Sequence, residues 1–284
     1  MGASLWRVRS RQLDLSARTA VMGILNVTPD SISDGGKNLN PDVAVEAGLQ
    51  MLADGADILD IGGESTRPGR PETVDIATEI ARVIPVLKII RRQAPEAIIS
   101  VDTYKGDVAR EALAAGADII NDVYALGRSP EIASLCAEHS AGLMLMHMKG
   151  EPATMQENPV YGDVIVEIKD LLKERMDLAI RYGVAEEQIA VDPGVGFGKT
   201  VEHNLQILAS LEYLRLLQRP IGIGVSRKGF LGAVTGGLPV EEREEATVAA
   251  CTAAVLNGAS IVRVHNVKAA RRGMDVVDAI RAQM

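Results

Sequence analysis

Apolar runs and amphipathic segments alternate along this chain from about residue 19 to its end. The apolar runs predict strands at 20–26, 56–62, 98–103, 117–122, 141–148, 188–193, 221–226 and 260–265. Most of these runs are continuously apolar, which is typical of strands covered on both faces. Segments with helical periodicity follow them at 41–54, 75–93, 105–115, 130–139, 163–182, 202–216, 243–257 and 267–282. Eight strand–helix units without a break in composition predict an α/β fold, a single (β/α)8 TIM barrel.

The predicted repeat accounts for most of the chain as one domain spanning residues 1–284. Residues 1–18 precede the first unit and are expected to form a short N-terminal extension, either a small hairpin or a plug. The alternative fold is an open, doubly wound sheet. That fold carries a glycine-rich fingerprint after its first strand, and the sequence after residue 26 lacks it, so we favour the barrel.

Each predicted strand ends in polar residues. The ends are Asn26, Asp60, Asp102, Asn121-Asp122, His147, Asp192, Ser226-Arg227-Lys228 and Arg263-Val264-His265. One polar strand end means little, but a barrel brings the carboxyl ends of all its strands to one face, where active sites lie. The connections after the first two strands, 27–40 and 63–75, are also long, and long loops in compact domains are usually functional. The pattern therefore predicts one site at this face.

Charge and cysteine content narrow the function classes. The net charge is −8 and no tract is dense in lysine and arginine, which argues against nucleic acid or an anionic membrane as the main partner. Cys136 and Cys251 lack metal or redox spacing, so we expect two buried thiols in a reducing compartment. No signal peptide and no apolar run of membrane length is recognised, so a cytoplasmic location is expected.

Three strand-end residues could form hydrogen bonds to one ligand. Asp102, Asn121 and Asp192 end the third, fourth and sixth predicted strands. Carboxylates can pair with an amine beside a ring N–H, which indicates a guanine- or pterin-like ring. The same oxygens could instead hold a hard metal ion or cap the following helices. Phe197 and Phe230 follow strands at this face, and one or both could flank a flat ligand.

Cationic residues predict an anion site beside that ligand. Ser226-Arg-Lys228 and Arg263-Val-His265 end the last two strands, where barrels frequently bind phosphate. Ion pairs with acids of neighbouring strands are the alternative for Arg263 and His265. Arg67, in the second loop, could hold a phosphate or carboxylate bidentately, or form a surface salt bridge.

Two more segments have the composition of ligand-binding loops. The first loop, Asn26-Val-Thr-Pro-Asp-Ser-Ile-Ser-Asp-Gly-Gly36, is rich in acids, hydroxyls and glycines and predicts a polar lid. The segment Val191-Asp-Pro-Gly-Val-Gly-Phe-Gly-Lys-Thr200 imitates a nucleotide-binding P-loop. It has proline where that motif needs its first glycine, so we reject nucleoside triphosphate binding.

Taken together, eight ordered segments match one family. They are Met22-Gly-Ile-Leu-Asn-Val-Thr-Pro-Asp-Ser31, Asp60-Ile-Gly-Gly-Glu-Ser-Thr-Arg-Pro-Gly69, Ser100-Val-Asp-Thr103, Ile120-Asn-Asp122, Leu145-Met-His-Met148, Val191–Thr200, Ser226-Arg-Lys228 and Arg263-Val-His265. In these segments the chain resembles the dihydropteroate synthases of the folate pathway, from about residue 5 to its C-terminus. The resemblance implies a barrel that joins 6-hydroxymethyl-7,8-dihydropterin diphosphate to p-aminobenzoate with Mg²⁺, releasing pyrophosphate.

The resemblance also implies a role for each matching residue. The pterin would be held by Asp102, Asn121, Asp192 and Lys228, with Arg263 over its face and Met146 in the same binding set. The diphosphate would be bound by Arg67, Arg263 and His265, and its Mg²⁺ by Asn26. The aminobenzoate site would be shaped by Thr66, Pro68, Phe197 and Lys228. Catalysis would draw on Asp30, Asp34, Lys228 and Arg263, with the two lid acids stabilising a cationic pterin methylene.

Two positions depart from the family pattern. Ile32 stands where the family usually has phenylalanine in the lid motif, and we expect a reshaped aminobenzoate pocket that discriminates against sulfonamides. Neutral drift with compensation elsewhere is the alternative. Asn266 stands where the family commonly has aspartate, which removes one negative charge beside the diphosphate site without abolishing function.

Two other function classes compete with this interpretation. A pterin-binding methyltransferase barrel would share the ring-reading acids but does not need the lid motif or the diphosphate site. A non-catalytic pterin- or phosphate-binding protein would not need the lid acids or the Mg²⁺ ligand. The helix predicted at 243–257 is apolar around much of its circumference, which, together with the resemblance, predicts a homodimer.

Overall fold

The computed structural model describes residues 4–28, 41–65 and 74–284 of the chain. Two short antiparallel strands, β1 (Leu5–Val8) and β2 (Arg11–Asp14), form an N-terminal hairpin. The parallel strands that follow are β3 (Ala20–Asn26), β4 (Ile58–Gly62), β5 (Ile98–Asp102), β6 (Ile119–Asp122), β7 (Gly142–Met146), β8 (Ile189–Asp192), β9 (Gly222–Gly224) and β10 (Ile261–Val264). They pair in the order β8-β7-β6-β5-β4-β3-β10-β9, and a parallel bridge between Val191 and Ile221 joins β8 to β9. The sheet closes into an eight-stranded barrel, which confirms the predicted fold class.

Helices cover the outside of the barrel. In the described residues they are α1 (Pro41–Ala53), α2 (Ile76–Gln93), α3 (Gly106–Ala114), α4 (Glu131–Glu138), α5 (Val164–Arg181), α6 (Val201–Ala209), α7 (Gly229–Val234), α8 (Glu244–Leu256) and α9 (Val267–Arg281). Short 3₁₀ turns occupy Glu186–Gln188, Leu211–Leu217 and Val240–Glu242. No helix among these is long and apolar enough to span a membrane.

The helix predicted at 202–216 is wrong in its second half. The α-helix ends at Ala209, and Leu211–Leu217 continue as a 3₁₀ helix. Its buried residues are Leu211, Leu214 and Leu217, and a spacing of three matches the three residues per turn of a 3₁₀ helix. Helix α7 was not predicted because six residues are too few to show a helical period.

Strand side chains alternate between the barrel interior and the layer under the helices. In β4, Ile58 belongs to the inner cluster, whereas Leu59 and Ile61 belong to the large core beneath the helices. This two-sided covering explains why the strand sequences are continuously apolar. The alternation also places Asp60, two residues after Ile58, in the interior near the carboxyl end of the barrel.

The hairpin covers the opposite, N-terminal end. Trp6 is fully buried and packs in the inner cluster with Met22 and Ile58, and its indole Nε1 donates to the carbonyl of Gln188 at 2.8 Å. Arg9 donates to the carbonyl of Ala117 at 2.7 Å. These contacts fill one end of the barrel, so the polar strand ends lie at the other.

Candidate active site

A hydrogen-bonded network joins the carboxyl ends of four strands. Asp60 Oδ2 accepts from Arg263 Nε at 2.6 Å and from Asn121 Nδ2 at 3.0 Å. Arg263 also donates through Nη2 to Asp102 Oδ2 at 2.8 Å. The predicted ligand residues Asp102, Asn121 and Arg263 are thus brought together from β5, β6 and β10. Asp60, whose role the sequence left open, is the junction between them.

Asn26, Gly62 and Asp102 stand side by side on β3, β4 and β5, where they are register partners. A Cβ on Gly62 would lie 3.7 Å from Asp102 Cβ and 3.9 Å from Asn26 Oδ1. The missing side chain therefore leaves a space between the amide of Asn26 and the carboxylate of Asp102. Both groups offer hard oxygen ligands at its edge.

Asp102, Asn121 and Asp192 do not cap the helices that follow them, so the capping alternative is excluded. Helix α3, which follows Asp102, has no side-chain cap, and neither does α4, which follows Asn121. Asp192 Oδ1 accepts from the backbone N–H of Gly194 at 2.6 Å, and the helix beyond it is capped by Thr200. These side chains are therefore not used to begin helices.

Burial shifts the ionisable groups of the site toward neutrality. It raises the pKa of Asp102 to about 7, against the opposing charge of Arg263. It lowers the pKa of Lys228 to about 8, against the opposing charge of Asp192. Burial also raises the pKa of Asp192, and Lys228 opposes that rise. Shifted pKa values of several groups at one face are typical of functional sites, where ionisable groups are matched to their chemistry, although structural ion pairs also shift pKa values.

Lys228 and Phe197 form one side of the site. Lys228 Nζ donates to the carbonyl of Val195 and lies 4.4 Å from the centroid of the Phe197 ring, a cation–π distance. Phe230, the other phenylalanine considered for a flat ligand, is buried in the core beneath the helices. Phe197 alone of the two is therefore placed beside a predicted site residue.

The loop after β8 is held by a buried lysine that sequence reasoning missed. Lys199 Nζ lies 3.0 Å from His147 Nδ1 and donates to the carbonyl of Phe197 at 3.0 Å. Burial, followed by the charge of Lys199, lowers the pKa of His147 to about 3, so the imidazole is neutral and accepts. His147 is thus a support for the Phe197 loop. The only sequence signal for Lys199 was its place in the rejected P-loop-like segment.

The residues predicted to form one anion site at the ends of the last two strands do not all face the same region. Ser226 Oγ lies 2.9 Å from His265 Nδ1 and also accepts from the backbone N–H of His265 at 3.2 Å, which fixes the imidazole between the ends of β9 and β10. Arg227 has a φ of 57° and pairs with Glu244 of α8 at 3.3 Å. Its guanidinium therefore pairs with the helix layer, and among the described residues Lys228, Arg263 and His265 remain as the predicted anion-binding side chains.

Several predicted residues lie outside the described ranges: Asp30, Ile32 and Asp34 of the first loop, and Thr66, Arg67 and Pro68 of the second. Met146 is described; it ends β7 and is buried. Asn266 caps α9, because its Oδ1 accepts from the N–H of Ala269 at 3.1 Å. An aspartate could cap equally well, so the departure at this position is structurally neutral.

A second buried cluster ties the two ends of the second loop together. Lys105 Nζ donates to Glu64 Oε2 at 2.5 Å, to Glu79 Oε2 at 2.6 Å and to the carbonyl of Val74. Tyr104 donates its hydroxyl to Glu64 Oε1 at 3.0 Å. Glu64 and Val74 lie at the two ends of the second loop, so one ammonium group links these ends.

We expect Lys105→Met to lower the free energy of unfolding by about 3–5 kcal/mol at neutral pH, because it leaves two buried carboxylates without a counter-charge. Burial raises the pKa of Glu79 and Lys105 opposes that rise, so the variant raises this pKa further. A carboxyl with a raised folded-state pKa destabilises the fold above that pKa and is relieved below it. The loss should therefore be smaller when urea unfolding is carried out at an acidic pH than at neutral pH.

The matched control is Lys173→Met. Lys173 pairs with Asp177 on the surface of α5, where both side chains are about half exposed. Its loss should cost less than about 1 kcal/mol at either pH. Equal losses in the two variants would show that the Lys105 cluster does not stabilise the fold.

Comparisons with known proteins agree with this geometry. A family model described as pterin binding enzyme matches residues 22–265. A dihydropteroate synthase of Synechocystis sp. is 45% identical over 267 residues, covering 94% of this chain and 92% of the relative. Among solved structures, the dihydropteroate synthase of Xanthomonas albilineans in complex with 7,8-dihydropteroate superposes with a TM-score of 0.86 at 41% identity, covering 97% of this chain and 99% of that one. The Thermus thermophilus enzyme in complex with 4-aminobenzoate has a TM-score of 0.85 at 39% identity, with coverages of 97% and 99%.

Proposed function

This chain belongs to the dihydropteroate synthases, transferases of folate biosynthesis, and on that premise we propose how its strand-end residues carry out the reaction. The substrates are 6-hydroxymethyl-7,8-dihydropterin diphosphate and p-aminobenzoate, and the products are 7,8-dihydropteroate and pyrophosphate. The observation that carries the assignment of roles is the network in which Arg263 bridges Asp60 and Asp102 beside Asn121.

The pterin ring lies against the side chains of Asp102, Asn121 and Asp192. The carboxylates of Asp102 and Asp192 accept from the amine and N–H groups of the ring, and the amide of Asn121 pairs beside them. Lys228 donates to the ring from the side of Phe197. Arg263 covers the face of the ring, since a planar guanidinium stacks well on a flat π-system. Met146 contributes apolar contact from the end of β7.

The diphosphate is bound where the remaining cations meet. Arg263 and His265 end β10, and Ser226 holds the imidazole of His265 in place. Arg67 supplies a further cation from the second loop. Asn26 offers an amide oxygen beside Asp102 to Mg²⁺, which typically takes few protein ligands and completes its shell with phosphate oxygens and water. When bound, Mg²⁺ supplies charge neutralisation on the pyrophosphate leaving group.

The bond changes need no strong base. The C–O bond between the pterin methylene and the diphosphate breaks, and its electron pair leaves with pyrophosphate. The lone pair of the arylamine forms the new C–N bond, and the amine then loses one proton. Asp30 and Asp34 stabilise the cationic methylene, and Thr66, Pro68 and Phe197 hold the p-aminobenzoate. Fixed cations at the leaving group are worth most in a desolvated pocket.

The test is a single assay. Purified protein is mixed with the dihydropterin diphosphate, p-aminobenzoate and Mg²⁺, and dihydropteroate is measured by chromatography. We expect product with Mg²⁺ and little after chelation. Product formation that is equally fast in the presence of chelator would contradict the role of Mg²⁺, and no product under any condition would contradict the assigned activity.

The lid position Ile32 leads to a separate prediction about inhibitors. Isoleucine is smaller than the usual phenylalanine and cannot stack on the aminobenzoate ring or its analogues. We therefore expect Ile32→Phe to strengthen inhibition by sulfamethoxazole by about tenfold, roughly the contribution of one aromatic contact. The KM for p-aminobenzoate serves as the control. An unchanged inhibition constant would show that Ile32 does not determine sulfonamide sensitivity.

The enzyme acts in the cytoplasm as a homodimer. Helices α8 and α9 pack on each other and leave Leu256, Val276 and Ile280 exposed. Exposed apolar side chains on two helices that pack on each other suit a symmetric interface between two copies. Light scattering at micromolar concentration should give twice the monomer mass of 30.2 kDa. A monomeric mass would contradict the assembly.

A further inference from the structure

Asp60 is the member of the strand-end network with no assigned contact to substrate. Its Oδ2 accepts from two side chains at once, Arg263 Nε at 2.6 Å and Asn121 Nδ2 at 3.0 Å. The side chain is fully buried. Arg263 and Asn121 come from β10 and β6 and both serve the pterin in the reaction above. One carboxylate oxygen therefore fixes two ligand-binding groups.

Arg263 makes a second contact, through Nη2, with a residue that is assigned to the pterin. Nη2 donates to Asp102 Oδ2 at 2.8 Å, so the guanidinium occupies an acceptor that the pterin ring would use. The Nε–Asp60 bond does not depend on that contact. When Nη2 leaves Asp102, the guanidinium can turn about its bond to Asp60 and come to lie over the ring.

The other oxygen of Asp60, Oδ1, can be paired with Ser100 on the next strand. Among the described residues, neither Asp60 Oδ1 nor Ser100 Oγ has a hydrogen-bond partner, and both atoms are shielded from solvent. Asp60 and Ser100 are register partners on β4 and β5, and neighbouring strands lie about 4.8 Å apart. A carboxylate oxygen buried alone is costly, and a water molecule shared with a hydroxyl satisfies both groups.

We propose that Asp60 is the positioning residue of the pterin site, with Oδ2 as the pivot of Arg263 and the anchor of Asn121, and with Oδ1 fixed by a buried water molecule shared with Ser100. The inference rests on the proposed function, because it concerns how the same pocket receives the pterin. Asp60 itself touches neither substrate.

The first test is Asp60→Asn, which keeps the shape of the side chain and removes its charge. Binding of 6-hydroxymethyl-7,8-dihydropterin diphosphate is measured calorimetrically with Mg²⁺ and without p-aminobenzoate. We expect the Kd to rise about 10- to 100-fold, the effect of losing a charged hydrogen-bond acceptor. The KM for p-aminobenzoate at saturating pterin should stay within about threefold. An unchanged Kd, or a KM that rises as much as the Kd, would overturn the proposal.

A double variant tests whether Asp60 acts through its neighbour. Asp60→Asn weakens the hydrogen bond between Asp60 and Asn121 by removing the charge of its acceptor, and Asn121→Ala removes its donor. Their combined effect on the pterin Kd should therefore be smaller than the product of the separate effects. A combined effect equal to that product would show that Asp60 and Asn121 act independently, contrary to the proposal.

Asp57→Asn is the matched control. Asp57 lies just before β4 at the opposite end of the barrel, where it pairs with Arg18 and Arg271. Its loss should lower the Tm but leave the pterin Kd unchanged. A pterin Kd that rises as much as in Asp60→Asn would show that general destabilisation is the cause.

Ser100→Ala and a crystal structure test the water. The variant should raise the pterin Kd by about threefold, since Asp60 keeps its other contacts. Density for a water within hydrogen-bond reach of both Asp60 Oδ1 and Ser100 Oγ supports the proposal, and its absence at high resolution contradicts it. Wild-type protein that neither binds pterin nor makes dihydropteroate would overturn the proposed function and this inference with it. Normal wild-type binding with an unchanged Asp60→Asn variant would overturn this inference alone.

Discussion

Replacing Arg263 with glutamine is expected to lower kcat/KM for the dihydropterin diphosphate by about 10²–10³-fold, the cost of removing one fixed group that stabilises developing charge. The guanidinium neutralises two carboxylates, Asp60 and Asp102, and no other cation is hydrogen-bonded to either among the described residues. Because Arg263 opposes the burial that raises the pKa of Asp102, that pKa rises further in the variant. What pterin binding remains should therefore recover toward alkaline pH.

The same substitution should lower the free energy of unfolding by about 3 kcal/mol, since breaking a buried ion pair leaves an uncompensated charge. Arg271→Gln is the matched control. Arg271 is a buried arginine at the N-terminal end of the barrel, and it bridges Asp57 and Asp278. Its loss should cost as much stability by urea unfolding and leave kcat/KM unchanged. A fall in kcat/KM of equal size in both variants would refute a specific role for Arg263.

Gly194→Ala is expected to lower the free energy of unfolding by about 3 kcal/mol or more and to remove activity in the protein that still folds. Gly194 has a φ of 65°, and a Cβ there would lie 1.9 Å from the carbonyl oxygen of His147. That oxygen belongs to the backbone at the end of β7, so it cannot be displaced without moving the support of the Phe197 loop. Urea unfolding and steady-state kinetics measure the two effects.

Gly237 and Gly229 are controls that distinguish the cost of a left-handed backbone from the cost of a steric clash. Gly237 has a φ of 94° but nothing within 4 Å of a Cβ, so Gly237→Ala carries the backbone cost alone, about 1–2 kcal/mol. Gly229 begins α7 with neither feature, so Gly229→Ala should be neutral or slightly stabilising. A Gly194→Ala variant no less stable than Gly237→Ala would show that the loop yields easily at His147.

The sequence predicted most of the fold because its signals are local. A strand covered on both faces is continuously apolar, and a polar residue at its carboxyl end is visible without knowing any partner. Asp102, Asn121 and Asp192 were found in this way, and the family resemblance that they support is confirmed by the comparisons. The 3₁₀ segment Leu211–Leu217 was missed because a spacing of three resembles the helical spacing over so few residues.

Pairings between distant residues could not be predicted. The sequence raised ion pairs of Arg263 with strand acids as an alternative, but it did not show that Asp60, 203 residues away, is one of them. The sequence likewise groups Arg227 with Lys228, whereas a left-handed backbone turns Arg227 toward Glu244. Lys199 had no assigned role in the sequence, and the fold places it beside His147. In each case, the contacts of the side chain depend on how the barrel brings distant strands together.

The hairpin at the N-terminal end also gives the protein a built-in optical probe. Trp6 is the single tryptophan of the chain, is fully shielded from water, and sits at the end of the barrel opposite the pterin network. Its emission in the native protein should be blue-shifted and should move to the red when the hairpin separates from the strands. Fluorescence excited directly at this indole therefore reports whether the N-terminal end of the barrel is intact. Comparing tryptophan emission with the emission of bound pterin distinguishes a protein that has unfolded there from one that has only lost its ligand.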